Sequence, residues 1–249
     1  MPTATAEYPT GLVNRPQQGH YPRSPAQTPH LEAIVVHKTE SLKPGTISTL
    51  GVGRPRSFAT EQALDAALEF FWKRGYRCTT TRELESAMGL SQSSVTNTFG
   101  SKNDLLEAAL DRYEYLTAQR LVIPLEESEE GLDAIQTFFV DLGDWVTHEG
   151  RRGCMIINLM AEDGSSANSI IERSRAYRAR VRGAFKQTLE RAVRSGETFE
   201  GSLDARADLL VGLVLGVNIA ARGGAPEPEL AQLFSAVRTQ INNWRVRPG

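Results

Sequence analysis

Between Thr79 and Lys102 the chain reads TTTRELESAMGLSQSSVTNTFGSK, and this stretch fixes more of the fold than any other. Thr80 and Glu83 stand at capping-box spacing: the hydroxyl meets the third amide of a helix, and the carboxylate returns to the amide of the cap. That predicts a helix over Thr81–Met88. Gly89-Leu90-Ser91 breaks it, because glycine takes positive φ without a Cβ clash and Ser91 brings the oxygen that caps a following helix. The second helix runs from Gln92 to about Phe99. Ser101 and Asp104 repeat the cap and open a longer helix, with Leu106, Ala109, Leu110 and Tyr113 on one face. Two short helices joined by a three-residue turn containing glycine form a helix-turn-helix. A preceding helix carries Leu64, Ala67, Leu68 and Phe71 at i, i+3, i+4, i+7 and closes at Gly75. Leu84, Ala87, Leu90 and Val95 are spaced to pack the pair onto it.

What remains outward on the third helix is Gln92, Ser93, Ser94, Thr96, Asn97 and Thr98. Short polar side chains of this kind reach base edges and phosphates in a major groove. Charge supports the reading by position rather than by sum. Overall Lys+Arg 28 against Asp+Glu 30 gives −2, so nucleic-acid binding has to rest on a local patch. Residues 53–104 hold seven basic against six acidic side chains. Arg54 and Arg56 precede the first helix, and Lys102 starts the fourth. Helix N-termini at Thr81 and Lys102 offer amide donors for phosphate. The expected DNA-contacting set is therefore Arg54, Arg56, Thr80, Thr81, Arg82, Gln92, Ser93, Ser94, Thr96, Asn97, Thr98 and Lys102.

From Ser57 to Thr117 the chain resembles the TetR-like transcriptional regulators. The resemblance lies in a first helix ending FFWKRGY, then TTTRELESAMGLS, a short reading helix, and FGSKNDLLEAAL, of which Phe99-Gly-Ser-Lys-Asn-Asp-Leu105 is the most specific part. Two positions depart from the family pattern: Thr96 stands where an aromatic residue is usual, and Glu85 where a small one is. The arm Gly53-Arg-Pro-Arg56 is similar to basic arms that enter a minor groove. The resemblance implies an N-terminal three-helix DNA-binding domain and a C-terminal helical domain for ligand binding and dimerisation.

Residues 1–52 hold seven of the twelve prolines, show no helical period, and read as a disordered tail. Pro124 and the acidic run Glu126–Glu130 mark a boundary. Beyond it, helices are expected near 129–148, 154–162, 167–195, 204–222 and 228–246. The expectation is an all-α chain of about nine helices, with domains at 57–117 and 124–246. Leu209–Ala221 is apolar nearly all round, with Gly212 and Gly216 four apart, so its helix should be buried. With helix 228–246 it reads as a subunit interface built on Leu209, Gly212, Leu213, Gly216, Leu233 and Val237. Such a homodimer would place two reading heads on a palindromic operator in double-stranded DNA, with half-sites about one helical turn (~34–36 Å) or a multiple apart.

For a small-molecule ligand of unknown identity the expected lining is Phe139, Trp145, His148, Cys154, Met155, Asn158 and Tyr177, with Asn158 and His148 as polar anchors. Cys154 follows a tight loop at a helix N-terminus, where the dipole lowers a thiol pKa. A redox-responsive regulator or a thiol enzyme acting through Cys154 is thus the competing reading, against the simpler one of a small buried hydrophobe. Cys78 reads as a packing residue. Arg173, Arg175, Arg178, Arg180 and Arg182 read as a solvated helix face. Two cysteines exclude a disulfide scaffold. No metal cluster, phosphate loop or catalytic set stands out, so neither enzyme chemistry nor a cofactor is expected. The thirteen residues of Leu209–Ala221 fall short of the ~20 that a bilayer needs, and no signal peptide is read. The expected setting is a repressor in the cytoplasm, released from DNA by its ligand.

Overall fold

The computed structural model describes residues 56–148, 150, 152–160, 162 and 167–246, with only the backbone at 56–59, 148, 167 and 168. The tail read at 1–52 and Arg54 lie outside the described residues. Those described are almost wholly helical: α1 (Arg56–Arg74), α2 (Thr81–Met88), α3 (Gln92–Phe99), α4 (Lys102–Thr117), α5 (Ile123–Glu127), α6 (Leu132–His148), α7 (Met155–Met160), α8 (Ala167–Arg194), α9 (Leu203–Arg222) and α10 (Glu227–Asn242). A lone antiparallel bridge, Thr198 to Arg245, is the sole β pairing among them.

The extra helix relative to expectation is α5. Pro124 does not end the helical run there. The chain passes from α4 through a π-helical turn, Ala118–Val122, in which the Ile123 amide bonds Ala118 O, and Pro124 then takes an early position of α5. Pro124 brings no N–H to the ladder, and it falls just after the π-helical turn, where the ladder is already irregular. The break comes at Ser128, whose backbone is extended.

Two apolar clusters organise the molecule. One joins α1–α4 around Phe71, Leu84, Leu105, Leu106 and Leu110. The other joins α5, α6 and α8–α10 around Leu125, Ile135, Phe138, Phe185 and Ile241. A fully buried side chain of these sizes contributes roughly 1.5–3 kcal/mol against its exposed state. Met155, Ile156 and Leu159 of α7 belong to the first cluster, although α7 follows α6 in sequence. The interior of the four-helix head is therefore closed in part by a helix from the C-terminal half.

Three of the five arginines named on α8 are not merely solvated. Arg173 meets Glu107, Asp111 and Glu114 of α4 at 2.9, 2.7 and 3.1 Å. Arg180 pairs with Glu126 of α5 at 2.7 Å, and Arg182 with Asp204 and Asp208 of α9 at 2.9 and 2.5 Å. Their partners lie 22 or more residues away in sequence, so local charge spacing could not reveal them.

Candidate functional site

The reading head is built by caps. Thr80 accepts from the Glu83 amide and donates its hydroxyl to Glu83 Oε2 at 2.7 Å; Glu83 Oε2 also accepts from the Thr80 amide at 2.9 Å. These bonds to Thr80 hold the Glu83 carboxyl below the usual carboxylate range. Gly89 ends α2 in the left-handed region, φ 65°, with its amide turned back to Glu85 O and Ser86 O. Ser91 caps α3 by accepting from Ser94 N, and Ser101 with Asp104 forms a second full capping box at α4.

Held this way, α3 buries one residue, Val95, which is 4% exposed. Gln92, Ser93, Thr96, Asn97 and Thr98 are exposed, with Ser93, Thr96 and Asn97 opposite Val95 and Gln92 and Thr98 flanking it, and Phe99 is half-buried. Ser94 is half-buried, its hydroxyl 2.9 Å from that of Ser91. Thr81 and Arg82 are exposed at the start of α2. The backbone of Arg56 begins α1.

Several expectations change. Met88, not Ala87, completes the packing of α2: Ala87 is exposed while Met88 and Leu84 are buried, because the helix is rotated to bring 84 and 88, four apart, onto one line. Cys78 is exposed rather than packed. Lys102 does not extend outward. Its ammonium donates to Tyr76 O at 2.6 Å and sits 4.1 Å from the centre of the Tyr76 ring, and burial pushes its pKa down. Thr80 spends its hydroxyl on Glu83. Both helix N-termini already hold a carboxylate of their own, Glu83 or Asp104. The amides of Thr81 and Arg82 are what α2 leaves for a phosphate.

A small, part-closed space lies between α4, α6, α7, α8 and α9. Its polar lining is Tyr113, Thr117, Cys154, Ser174, Tyr177 and Asn218, set among Leu121, Leu142, Trp145, Ile156 and Val214. Its free volume of about 20 Å³ holds a single water. Of the residues expected here, Trp145, Cys154 and Tyr177 line it. Phe139 is instead packed against Phe185, ring planes 8° apart, and Met155 is sunk in the head cluster. Asn158 turns away to donate to Arg152 O at 2.7 Å. The side chain of His148 lies outside the described residues.

Tyr113, Thr117, Ser174 and Asn218 were missed. They sit on three helices far apart in sequence, and the one sequence signal was a polar residue on an otherwise apolar face, as Asn218 is within Leu209–Ala221. Cys154 is buried, and that burial pushes its thiol pKa up, opposite to the lowering expected at a helix N-terminus. Burial likewise raises the Tyr113 and Tyr177 hydroxyls. The lining is therefore uncharged at neutral pH, apart from Arg178 at its edge.

α9 is not buried all round. Leu209 is 44% and Ile219 59% exposed, and Gly212 and Gly216 are open to the surface. An apolar groove between α9 and α10 is lined by Leu209, Gly212, Leu213, Gly216, Val217, Leu233, Ala236, Val237 and Gln240. All six residues read as an interface from the sequence lie in it. Among the described residues no group of three or more His, Cys, Asp or Glu is placed to hold a metal ion, and no helix is long and apolar enough to cross a membrane.

Residues 63–109 match the family profile of the bacterial regulatory proteins of the tetR family. The chain is 29% identical over 198 residues to the HTH-type transcriptional repressor ComR of Escherichia coli (strain K12), an alignment covering 77% of this chain and 91% of ComR. Among solved structures, a TetR transcriptional regulator from Chloroflexus aurantiacus J-10-FL superposes with a TM-score of 0.68 at 23% identity, covering 77% of this chain and 98% of that one. A cysteine mutant of the TetR family regulator CifR, solved with 26-bp double-strand operator DNA, superposes with a TM-score of 0.66 at 21% identity, covering 77% of this chain and all of that one. Profile, relative and fold agree with the geometry of α2 and α3: residues 63–109 form a head of the tetR-family type, on a chain similar throughout its described length to TetR-like DNA-binding regulators.

Proposed function

We propose that this chain is a homodimeric repressor that α3 docks in the major groove of a palindromic operator, and that a small molecule in the cavity releases it. The observation that carries the reading is the α3 face: Gln92, Ser93, Thr96, Asn97 and Thr98 stand exposed on a helix whose anchor, Val95, is buried. Exposed amides and hydroxyls of this size read base edges, and the α2 amides at Thr81 and Arg82 position the backbone. Thr96 takes a role for which a hydroxyl suffices, a bond to phosphate. The α9–α10 groove supports self-association, since paired glycines let a second helix come close. The repressor sense follows ComR, which carries that function in its name.

Apart from Arg178 the lining is uncharged, which favours a mostly apolar ligand with one or two hydrogen-bonding groups. DNA binding then favours one spacing of the two heads and the ligand another. The shift is limited by the ligand's preference between these states. A redox or thiol-enzyme role for Cys154 has less support, because a buried thiol with a raised pKa holds little thiolate. The test is fluorescence anisotropy on duplexes selected from a random library, measured across salt. Sequence preference with a steep loss of affinity on adding salt is expected, and Asn97→Ala should weaken specific binding about 5- to 150-fold, as ~1–3 kcal/mol per base contact implies. Equal binding to all duplexes would refute the reading.

A further inference from the structure

α3 carries no charged side chain: its eight residues read QSSVTNTF. Two cations of the head are committed elsewhere. Lys102, just past the far end of α3, donates to Tyr76 O at 2.6 Å, and Arg74 pairs with Glu83 at 3.4 Å. At the near end the serine hydroxyls are turned to one another, that of Ser91 lying 3.0 Å from Ser93 and 2.9 Å from Ser94. On the side opposite Val95 this leaves Asn97 as the one carboxamide, with Thr96 beside it and Gln92 on the flank. Among the described residues, none bonds the side chain of Asn97 or Thr96, and both are exposed.

Each base shows its own pattern in a major groove. Guanine presents two acceptors, N7 and O6, which suit the paired donors of arginine or lysine. Cytosine presents a donor at N4, which suits a carboxylate. Adenine sets an acceptor, N7, beside a donor, N6, and a carboxamide matches both: its NH2 donates to N7 and its C=O accepts from N6. Thymine presents a C5-methyl, against which a threonine methyl packs. With no Arg, Lys, Asp or Glu, α3 lacks the side chains that the first two patterns call for. We infer that α3 selects A·T pairs within each half-site, the Asn97 carboxamide bridging N7 and N6 of an adenine and the Thr96 methyl resting on the C5-methyl of a neighbouring thymine. Both contacts need close approach, because a carboxamide reaches less far than a guanidinium. The exposed face allows it: Gln92 is its longest side chain, and the Ser93 hydroxyl is held back by Ser91. The inference rests on the reading that α3 enters the major groove of an operator.

Selection from a random duplex library with the full chain should return half-sites in which an adenine is the base that Asn97→Ala no longer selects. Single-atom changes in the selected duplex then test each contact by fluorescence anisotropy. At that adenine, 7-deazaadenine replaces N7 by C–H and leaves a buried donor unpaired, so it should weaken binding about fivefold or more. It should leave the affinity of Asn97→Ala unmoved. Deoxyuridine in place of the neighbouring thymine removes the methyl and should cost about fourfold, the worth of one buried CH2 group. Thr96→Ser should erase that cost. Both residues are exposed, so each variant should keep the fold, which circular dichroism checks. Guanine or cytosine at the Asn97-dependent position, or equal sensitivity of Asn97→Ala and the unaltered chain to 7-deazaadenine, would overturn the inference. A deoxyuridine cost that persists in Thr96→Ser would remove the thymine contact from it. Failure to select any duplex would instead sink the functional reading beneath it.

Discussion

Two glycines of the head differ in a way that isolates one contact. Gly75 and Gly89 both lie in the left-handed region, at φ 80° and 65°. A Cβ at Gly89 meets nothing within 4 Å, whereas one at Gly75 lands on Glu162 Oε1. Alanine in this conformation costs roughly 1–2 kcal/mol at either site. At Gly75 it also evicts the end of a flexible glutamate, so the added cost is the bond from Arg77 N, about 1 kcal/mol for an exposed hydrogen bond. Gly89→Ala should therefore cost about 1–2 kcal/mol and Gly75→Ala about 2–3. Glu162→Ala alone should cost about 1, and with it in place the two glycine substitutions should become equal. The assay is urea unfolding of the full chain at one protein concentration, comparing midpoints at constant slope. If Gly75→Ala and Glu162→Ala prove additive, Glu162 does not rest on Gly75, and the turn after α1 is not braced by Glu162.

Other outcomes follow from single contacts. Thr80→Ala should cost about 1 kcal/mol through the lost cap. It should also flatten the acid limb: Glu83 titrates below its unfolded value, so its contribution is present at neutral pH and disappears as pH falls through the folded pKa. Acid titration followed by circular dichroism reads both effects, and an unchanged acid limb would contradict the bond to Thr80. Leu209→Lys, on the exposed side of α9, should leave the fold intact and halve the mass by light scattering; an unaltered mass would remove the groove as the seat of a second copy. Iodoacetamide at neutral pH should label Cys78 fast and Cys154 slowly by peptide mapping, and comparable rates would show that Cys154 is not enclosed as described.

What the sequence made legible was what short-range rules decide. The caps at Thr80/Glu83, Ser91 and Ser101/Asp104 fall where residue spacing puts them, because each bond closes within three residues. The α3 face was readable because one buried valine sets the orientation of an eight-residue helix. The tie of Lys102 to Tyr76 O could not be read from the sequence, because that acceptor lies 26 residues earlier. Arg173, Arg180 and Arg182 of α8 were misread because their carboxylates sit on α4, α5 and α9. Pro124 signalled a boundary only under the assumption of a helix interior; at the start of α5 it is tolerated. The cavity was half readable: aromatic and sulfur side chains drew attention to it, but Thr117 and Ser174 look like ordinary small helix residues until three helices converge on them.

α9 has a further consequence. Its Val214, Leu215 and Asn218 face the cavity, while Leu209, Gly212 and Gly216 face the open groove. A partner seated in that groove would lie one helix thickness, about 10 Å, from whatever fills the interior of the first copy. Occupancy in one half would then be felt by the other before any DNA is involved, and the dose-response curve for release would be steeper or shallower than that of two independent sites.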